Sequence, residues 1–118
     1  MTERDGLFLG HILAAITDIE SFTAEGQAGF MADRKTQSAV VRQLEIIGEA
    51  VKNLSAALTA GETAVPWRLI AGTRDRLVHA YFNVSLDAVW SMIEQDLPTL
   101  SENVQRILDA PDKRTPSR

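Results

Sequence analysis

Residues 33–59 read DRKTQSAVVRQLEIIGEAVKNLSAALT, and their apolar side chains recur at separations of 3, 4 and 7. This spacing places apolar groups on one face of an α-helix. Asp33 is a suitable N-cap, and Gly61 stands where a glycine closes a helix, so the stretch predicts a helix over about 34–59. Gly48 inside it either lets another helix or chain approach closely or is simply tolerated. The apolar face comprises Val40, Val41, Leu44, Ile47, Val51, Leu54 and Leu58.

The segment before this helix has the same periodicity. Its apolar residues predict a helix over about 4–23, with Thr2 as N-cap and Asp5 completing a capping box. Residues 23–32 contain two glycines and predict a loop with about one helical turn.

The segment after it predicts two more helices. Pro66 suits the first position of a helix that runs towards Phe82, with Gly72 as a point where it can break. Ser85 can cap a fourth helix, which Pro98 should kink or split in two.

No segment alternates convincingly with period two, so the sequence predicts an all-α domain with four main helices, most simply a bundle. Short connections favour antiparallel neighbours. The domain is expected to cover residues 1–110, followed by a flexible polar tail at 111–118. The apolar face of the first two helices is generous for so small a domain, which is compatible with a dimer.

Composition excludes several classes of protein. The 118 residues carry no cysteine, which removes disulfides, Cys-ligated zinc, iron–sulfur clusters and thiol catalysis. No apolar run is long enough to span a membrane, and no export signal is visible, so we expect a cytoplasmic protein. The net charge of −4 argues against a general nucleic-acid coat protein.

The segment 63–86 departs from this acidic balance, with a net charge of +2. It contains Arg74, Asp75, His79 and the only tyrosine, Tyr81. Asp75 and His79 are four residues apart and share a helix face, so the carboxylate could fix the imidazole tautomer for proton transfer. Arg74 could bind a phosphate through two hydrogen bonds. Together these groups suit metal-independent acid–base chemistry on a phosphodiester, with no cofactor.

Arg74 and His79 are five residues apart, about 140° around an ideal helix. Either the helix is distorted near Gly72, or residues from two copies meet at one site. The simpler alternative is that Arg74 and Asp75 lie on a solvated face and His79 caps a helix C-terminus. His11 lies on the apolar face of the first helix, where a core or interface role is the usual one.

At these residues the sequence resembles the HepT-like proteins of the HEPN superfamily, the toxin partners of minimal nucleotidyltransferase (MNT) antitoxins. Arg74-x4-His79-x-Tyr81 matches their signature, and the similarity covers about residues 5–109. Other blocks agree in order: residues 46–51, Pro66-Trp67-x-x-Ile70-Ala71-Gly72, residues 77–82, Val89-Trp90 and Asp96-Leu97-Pro98.

The resemblance implies a HEPN-type bundle of four main helices plus a short helix. It also implies a homodimer whose cleft joins two copies of the motif, and a metal-independent endoribonuclease acting through 2′-OH attack. Arg74 and His79 then match the catalytic pair. Asp75 stands where the family most often has Asn, and Tyr81 matches the acceptor of adenylyl groups that the antitoxin transfers from ATP.

The expected function is thus the toxin of a type VII-like toxin–antitoxin system, cleaving RNA until Tyr81 is adenylylated. The alternative is a non-catalytic HEPN subunit that binds a nucleotidyltransferase, which the acidic balance and Asp75 favour slightly. A plain structural helical dimer is a third interpretation.

Overall fold

The computed structural model describes residues 1–79 and 85–110, with side chains at 1–73 and 85–110. Every regular element in these ranges is helical, which confirms the all-α prediction. The elements are α1 (Glu3–Phe22), α2 (Gly26–Ala32), α3 (Arg34–Lys52), α4 (Ala56–Gly61), α5 (Trp67–His79), α6 (Leu86–Ser91), a π-helical segment (Met92–Asp96) and α7 (Leu97–Asp109).

The long helices share one hydrophobic core. Helix α3 packs along both α1 and α5, and α1 also packs against α7. Burial follows the apolar stripes of the sequence, and Gly48 is buried on α3. The result is the predicted bundle of four main helices, if the stretch from α6 to α7 is counted as one. Its most enclosed apolar side chains are Leu9, Ile12, Ile19, Phe30, Val40, Val89 and Val104.

The N-terminal caps of α1 and α3 are as predicted. The Asp5 N–H donates to Thr2 Oγ1 at 2.9 Å, and the Thr2 N–H donates to Asp5 Oδ2 at 3.2 Å. Asp33 Oδ1 accepts from the Lys35 N–H at 3.0 Å. Both caps are local in sequence, and they set the starts of the two helices that form the centre of the bundle.

The predicted single helix over 34–59 is wrong. Helix α3 ends at Lys52, α4 begins at Ala56, and Gly61 is the last residue of α4 rather than a residue beyond its end. Asp5 is the cause, because it accepts from the Ser55 N–H at 2.8 Å and from Ser55 Oγ at 2.7 Å. The Ser55 N–H is therefore taken away from the helical ladder, and Ser55 becomes the N-cap of α4.

Asp5 is only 1% exposed, so replacing it has a clear expected cost. An asparagine side chain at this position would place an N–H donor where Thr2 and Ser55 both donate. We expect Asp5→Asn to lower the free energy of unfolding by about 1–3 kcal/mol, measured by urea denaturation. Asp18→Asn, the same change at an exposed α1 position, should have little effect. Equal stability of the two variants would contradict this role for Asp5.

The same carboxylate predicts a pH dependence. Burial raises the pKa of Asp5, but hydrogen bonds from Ser55 and Thr2 outweigh it and leave the pKa below its ordinary 3.8. A depressed native pKa adds stability above the unfolded-state value, and this is lost as pH falls through the native pKa. As the pH is lowered from about 5 through the native pKa of Asp5, the free energy of unfolding should therefore fall more for the native protein than for Asp5→Asn. Parallel pH profiles of the two proteins would contradict this.

Two further expectations change in the structure. Residues 26–32 form a two-turn helix instead of a loop, because Phe30 is buried and its ring lies 5.5 Å from that of Trp90. Gly26 begins it with φ +85°, a conformation that suits glycine. Helix α5 passes through Gly72 without a break. The predicted continuation towards Phe82 and the tail at 111–118 lie outside the described residues.

Pro98 neither splits the last helix nor interrupts it at its own position. It lies in the first turn of α7, where a missing N–H costs nothing, and the irregularity precedes it as the π-helical segment. The Leu97 N–H donates to the carbonyl of Met92, five residues back. This wider turn changes the angle at which Asp96 and Leu97 leave the helix.

Among the described helices, none is long and apolar enough by itself to cross a membrane. Of these helices, only α1 and α2 taken together, bent by 88° at their junction, meet the criteria of length and composition.

Candidate ribonuclease site

The first turn of α5 is held by hydrogen bonds to the segment before it, which in turn contacts α7. Trp67 is buried, and its indole Nε1–H donates to the Glu62 carbonyl at 3.1 Å. The Glu62 carboxylate accepts from Arg106 of α7 at 2.8 Å. The Ile70 N–H donates to the Pro66 carbonyl at 3.1 Å, which closes the first turn. These contacts fix α5 to α7 and so fix the direction in which the later turns of α5 extend.

The predicted site residues lie in the last two turns of this helix. Arg74, Asp75 and His79 are all within α5, and their side chains lie outside the described part of the structure. Asp75 and His79 remain four residues apart in continuous helix, so they occupy one face. Tyr81 lies outside the described residues.

The geometry of α5 rules out one alternative that the sequence left open, a distortion of the helix near Gly72. Arg74 and His79 are separated by about 7.5 Å along the axis and about 140° around it. Since α5 is continuous through Gly72, a break there does not bring the two residues together. Two alternatives stay open: two chains contribute to one site, or Arg74 and Asp75 lie on a solvated face and His79 caps the helix C-terminus.

A cavity of about 270 Å³ adjoins this helix. It lies between α3, α5, the π-helical segment and α7, and Thr73, the residue before Arg74, lines it. We call it the α5–α7 cavity; sequence periodicity could not reveal it, because it is made by helices distant in sequence. Its apolar lining comprises Leu44, Ile47, Ala64, Val65, Pro66, Leu69, Ile70, Met92, Leu97 and Leu100.

The other histidine lies elsewhere. His11 is exposed on α1, so a core role is wrong, and its ring meets Phe8 edge-on at 5.4 Å. It lines a small hollow with Arg42, Glu45 and Glu49 of α3, to which α5 contributes no residue. In the part of the chain with described side chains, no group of three or more His, Asp or Glu residues could hold a metal ion.

A comparison with known protein families identifies the family to which this chain belongs. The family described as "Ribonuclease HepT-like" matches residues 12–107, most of the chain and all of α5. The chain belongs to the HepT-like ribonuclease family. The resemblance seen in the sequence is thereby confirmed, and an RNase of the HepT/HEPN type is supported.

Named relatives agree with this membership. A Thermococcus cleftensis protein named "Probable ribonuclease HepT" is 42% identical over 101 residues, covering 85% of this chain and 92% of its own. A Methanocaldococcus jannaschii protein named "Gamma-glutamylcyclotransferase and putative RNase" is 37% identical over 108 residues. That match covers 91% of this chain but only 49% of the relative, so the chain spans about half of that protein. No solved structure gives a significant match.

Proposed function

We propose that this protein is a metal-independent endoribonuclease in which Arg74 and His79 act at a cleft between two identical chains. The family match across residues 12–107 carries the proposal, because it includes the helix that bears both residues. The local positive charge of this segment on an acidic chain supports an anionic substrate.

The proposed reaction is an internal transfer within RNA. The ribose 2′-oxygen loses its proton and attacks the adjacent phosphorus, the bond to the 5′-oxygen breaks, and that oxygen takes a proton. The products are a 2′,3′-cyclic phosphate and a 5′-hydroxyl. Each chain offers one histidine in the motif, so two copies of His79 could act as base and acid.

The other residues have supporting roles. Arg74 binds the phosphate through two hydrogen bonds and stabilises the charge that develops on it. Asp75, four residues before His79, orients the imidazole by accepting from one ring nitrogen. Tyr81 is the residue that an MNT-type nucleotidyltransferase antitoxin adenylylates, which makes the protein the toxin of a type VII-like toxin–antitoxin system.

A cleavage assay tests the ribonuclease proposal. The purified chain is incubated with end-labelled single-stranded RNA in excess EDTA, beside DNA of the same sequence. We expect RNA fragments whose 5′ portion ends in a cyclic phosphate by mass spectrometry, and intact DNA, because DNA has no 2′-OH. A requirement for added divalent metal, or fragments ending in a 3′-hydroxyl, would contradict the mechanism.

The alternative is a non-catalytic subunit that binds a nucleotidyltransferase. The observation that favours it is Asp75, which adds a negative charge directly beside the proposed phosphate-binding Arg74. A chain that binds the nucleotidyltransferase but cleaves no RNA would support this alternative, and Asp75→Asn separates two effects of the carboxylate on a chain that does cleave. If the carboxylate orients His79, the variant cleaves more slowly than the native chain; if the carboxylate repels the substrate, the variant cleaves faster.

A further inference from the structure

The α5–α7 cavity has an apolar interior and a polar rim. Leu44, Ile47 and Leu100 in its lining are almost fully buried, whereas Asp96 and Thr99 at the rim are exposed. Ligand pockets commonly measure about 300–1,000 Å³, so a volume of about 270 Å³ suits one ring system rather than a larger molecule.

The rim offers hydrogen-bond acceptors. The Asp96 carboxylate neither caps α7 nor bonds to any other residue that the structure describes. Asn103 is partly used, since its Nδ2 donates to the Thr99 carbonyl at 3.0 Å and its Oδ1 accepts from Arg106 at 3.3 Å. The second lone pair of that Oδ1 is left over. An occupant with N–H donors along one edge therefore fits this rim.

The charges on the two sides of the cavity indicate which end of a bound ligand carries its phosphate. Asp96 makes the α7 side unfavourable for an anion, whereas the chain directly after Thr73 on the α5 side contains Arg74, Asp75 and Arg76, a net charge of +1. Ile70 in the cavity wall precedes Arg74 by four residues, about 6 Å along the helix axis. A ligand with an uncharged ring in the cavity and a phosphate at α5 satisfies both sides.

We propose that the α5–α7 cavity binds one nucleobase of the RNA substrate, with guanine preferred. Guanine is the RNA base whose Watson–Crick edge carries two adjacent N–H donors, at N1 and N2, and a carboxylate accepts both. Single-stranded RNA exposes that edge. The inference rests on the proposed ribonuclease activity and adds a base subsite to it.

Cleavage of defined substrates tests the base preference. Each oligonucleotide has one ribose in a DNA background, so it is cut at one position, and the bases on both sides of that position are varied. We expect native protein to cleave a guanine-containing site about 10- to 100-fold more efficiently in kcat/KM than the matching adenine or uracil site. Asp96→Asn should lose most of this preference, measured as the ratio of kcat/KM for the guanine site to kcat/KM for the adenine site.

Asp18→Asn is the matched control, because Asp18 is also an exposed helical aspartate and does not line the cavity. It should retain the native preference. Equal cleavage of all four bases by native protein, or the same preference in Asp96→Asn as in native protein, would overturn the proposal.

A binding experiment separates this inference from the proposed activity. Guanosine monophosphate is titrated into native protein with labelled Ile and Leu methyl groups. We expect shifts at Ile70 and Leu100, with weaker binding of uridine monophosphate. Binding without RNA cleavage would support the cavity and contradict the nuclease, whereas cleavage with no shift at these methyls would contradict the cavity alone.

Filling the cavity mouth tests the competing occupant, an apolar side chain of another protein. Thr99→Phe adds bulk at the exposed rim, and Thr17→Phe adds the same bulk at an exposed position of α1. We expect Thr99→Phe alone to lose guanosine monophosphate binding. A change in oligomeric state with unchanged nucleotide binding would show a protein contact instead and overturn the nucleobase proposal.

Discussion

His79→Ala should lower the rate of RNA cleavage by about 10²–10⁴-fold, the usual contribution of a positioned acid or base. Alanine cannot accept the proton of the 2′-oxygen or return one to the leaving oxygen. The change should leave KM nearly unaffected, because the imidazole is needed for proton movement and Arg74 for binding. Single-turnover cleavage of a labelled RNA measures the chemical step directly.

His11→Ala is the matched control for this prediction. His11 is the only other histidine, and it lies exposed on α1 beside Phe8 rather than on α5. It should keep native activity. Similar losses in the two variants would point to a general effect of removing imidazole, and native activity in His79→Ala would remove His79 from the proposed mechanism.

The contribution of two chains to the site can be tested with the same variant. Heterodimers of one native and one His79→Ala chain, purified through two different tags, contain one imidazole of the proposed pair. If the cleft needs both copies, these heterodimers should have far less than half the native activity. Half of the native activity would mean that each chain works alone, and the interpretation of Arg74 and His79 as a shared site would fail.

The local features of this fold follow from sequence, and the departures come from distant contacts. Thr2 with Asp5, and Asp33 with Lys35, are neighbours along the chain, so pattern and residue type were sufficient to predict both caps. The break after Lys52 depends on Asp5 and Ser55, which are 50 residues apart. No periodicity in residues 34–59 indicates that contact, because an apolar stripe continues across it.

The candidate site divides in the same way. Arg74, Asp75 and His79 could be selected from sequence because their residue types and spacing suit one chemistry, and α5 contains all three. The α5–α7 cavity could not be predicted, since it depends on the π-helical turn that positions Asp96 and on three helices that meet only in the fold. The order of chemical groups along a helix can be predicted from one sequence, whereas a cavity between helices that are distant in sequence cannot.

Adenylylation of Tyr81 should abolish cleavage as completely as the loss of His79. In the proposed step the Tyr81 phenolic oxygen attacks the α-phosphorus of ATP, pyrophosphate leaves, and the phenolic proton passes to solvent. Tyr81 follows His79 by two residues, so the new phosphate would add negative charge and bulk close to the site that must accept RNA. It would also compete with RNA for the Arg74 guanidinium.

Incubation with the MNT-type antitoxin, ATP and magnesium should therefore add mass in units of AMP and stop RNA cleavage. Tyr81→Phe should gain no mass and continue to cleave under the same conditions, since phenylalanine keeps the ring but removes the acceptor oxygen. Unchanged mass together with lost activity would mean that the antitoxin neutralises the chain by binding. Because Tyr81→Phe would then be neutralised equally, this one variant distinguishes covalent inhibition from inhibition by complex formation.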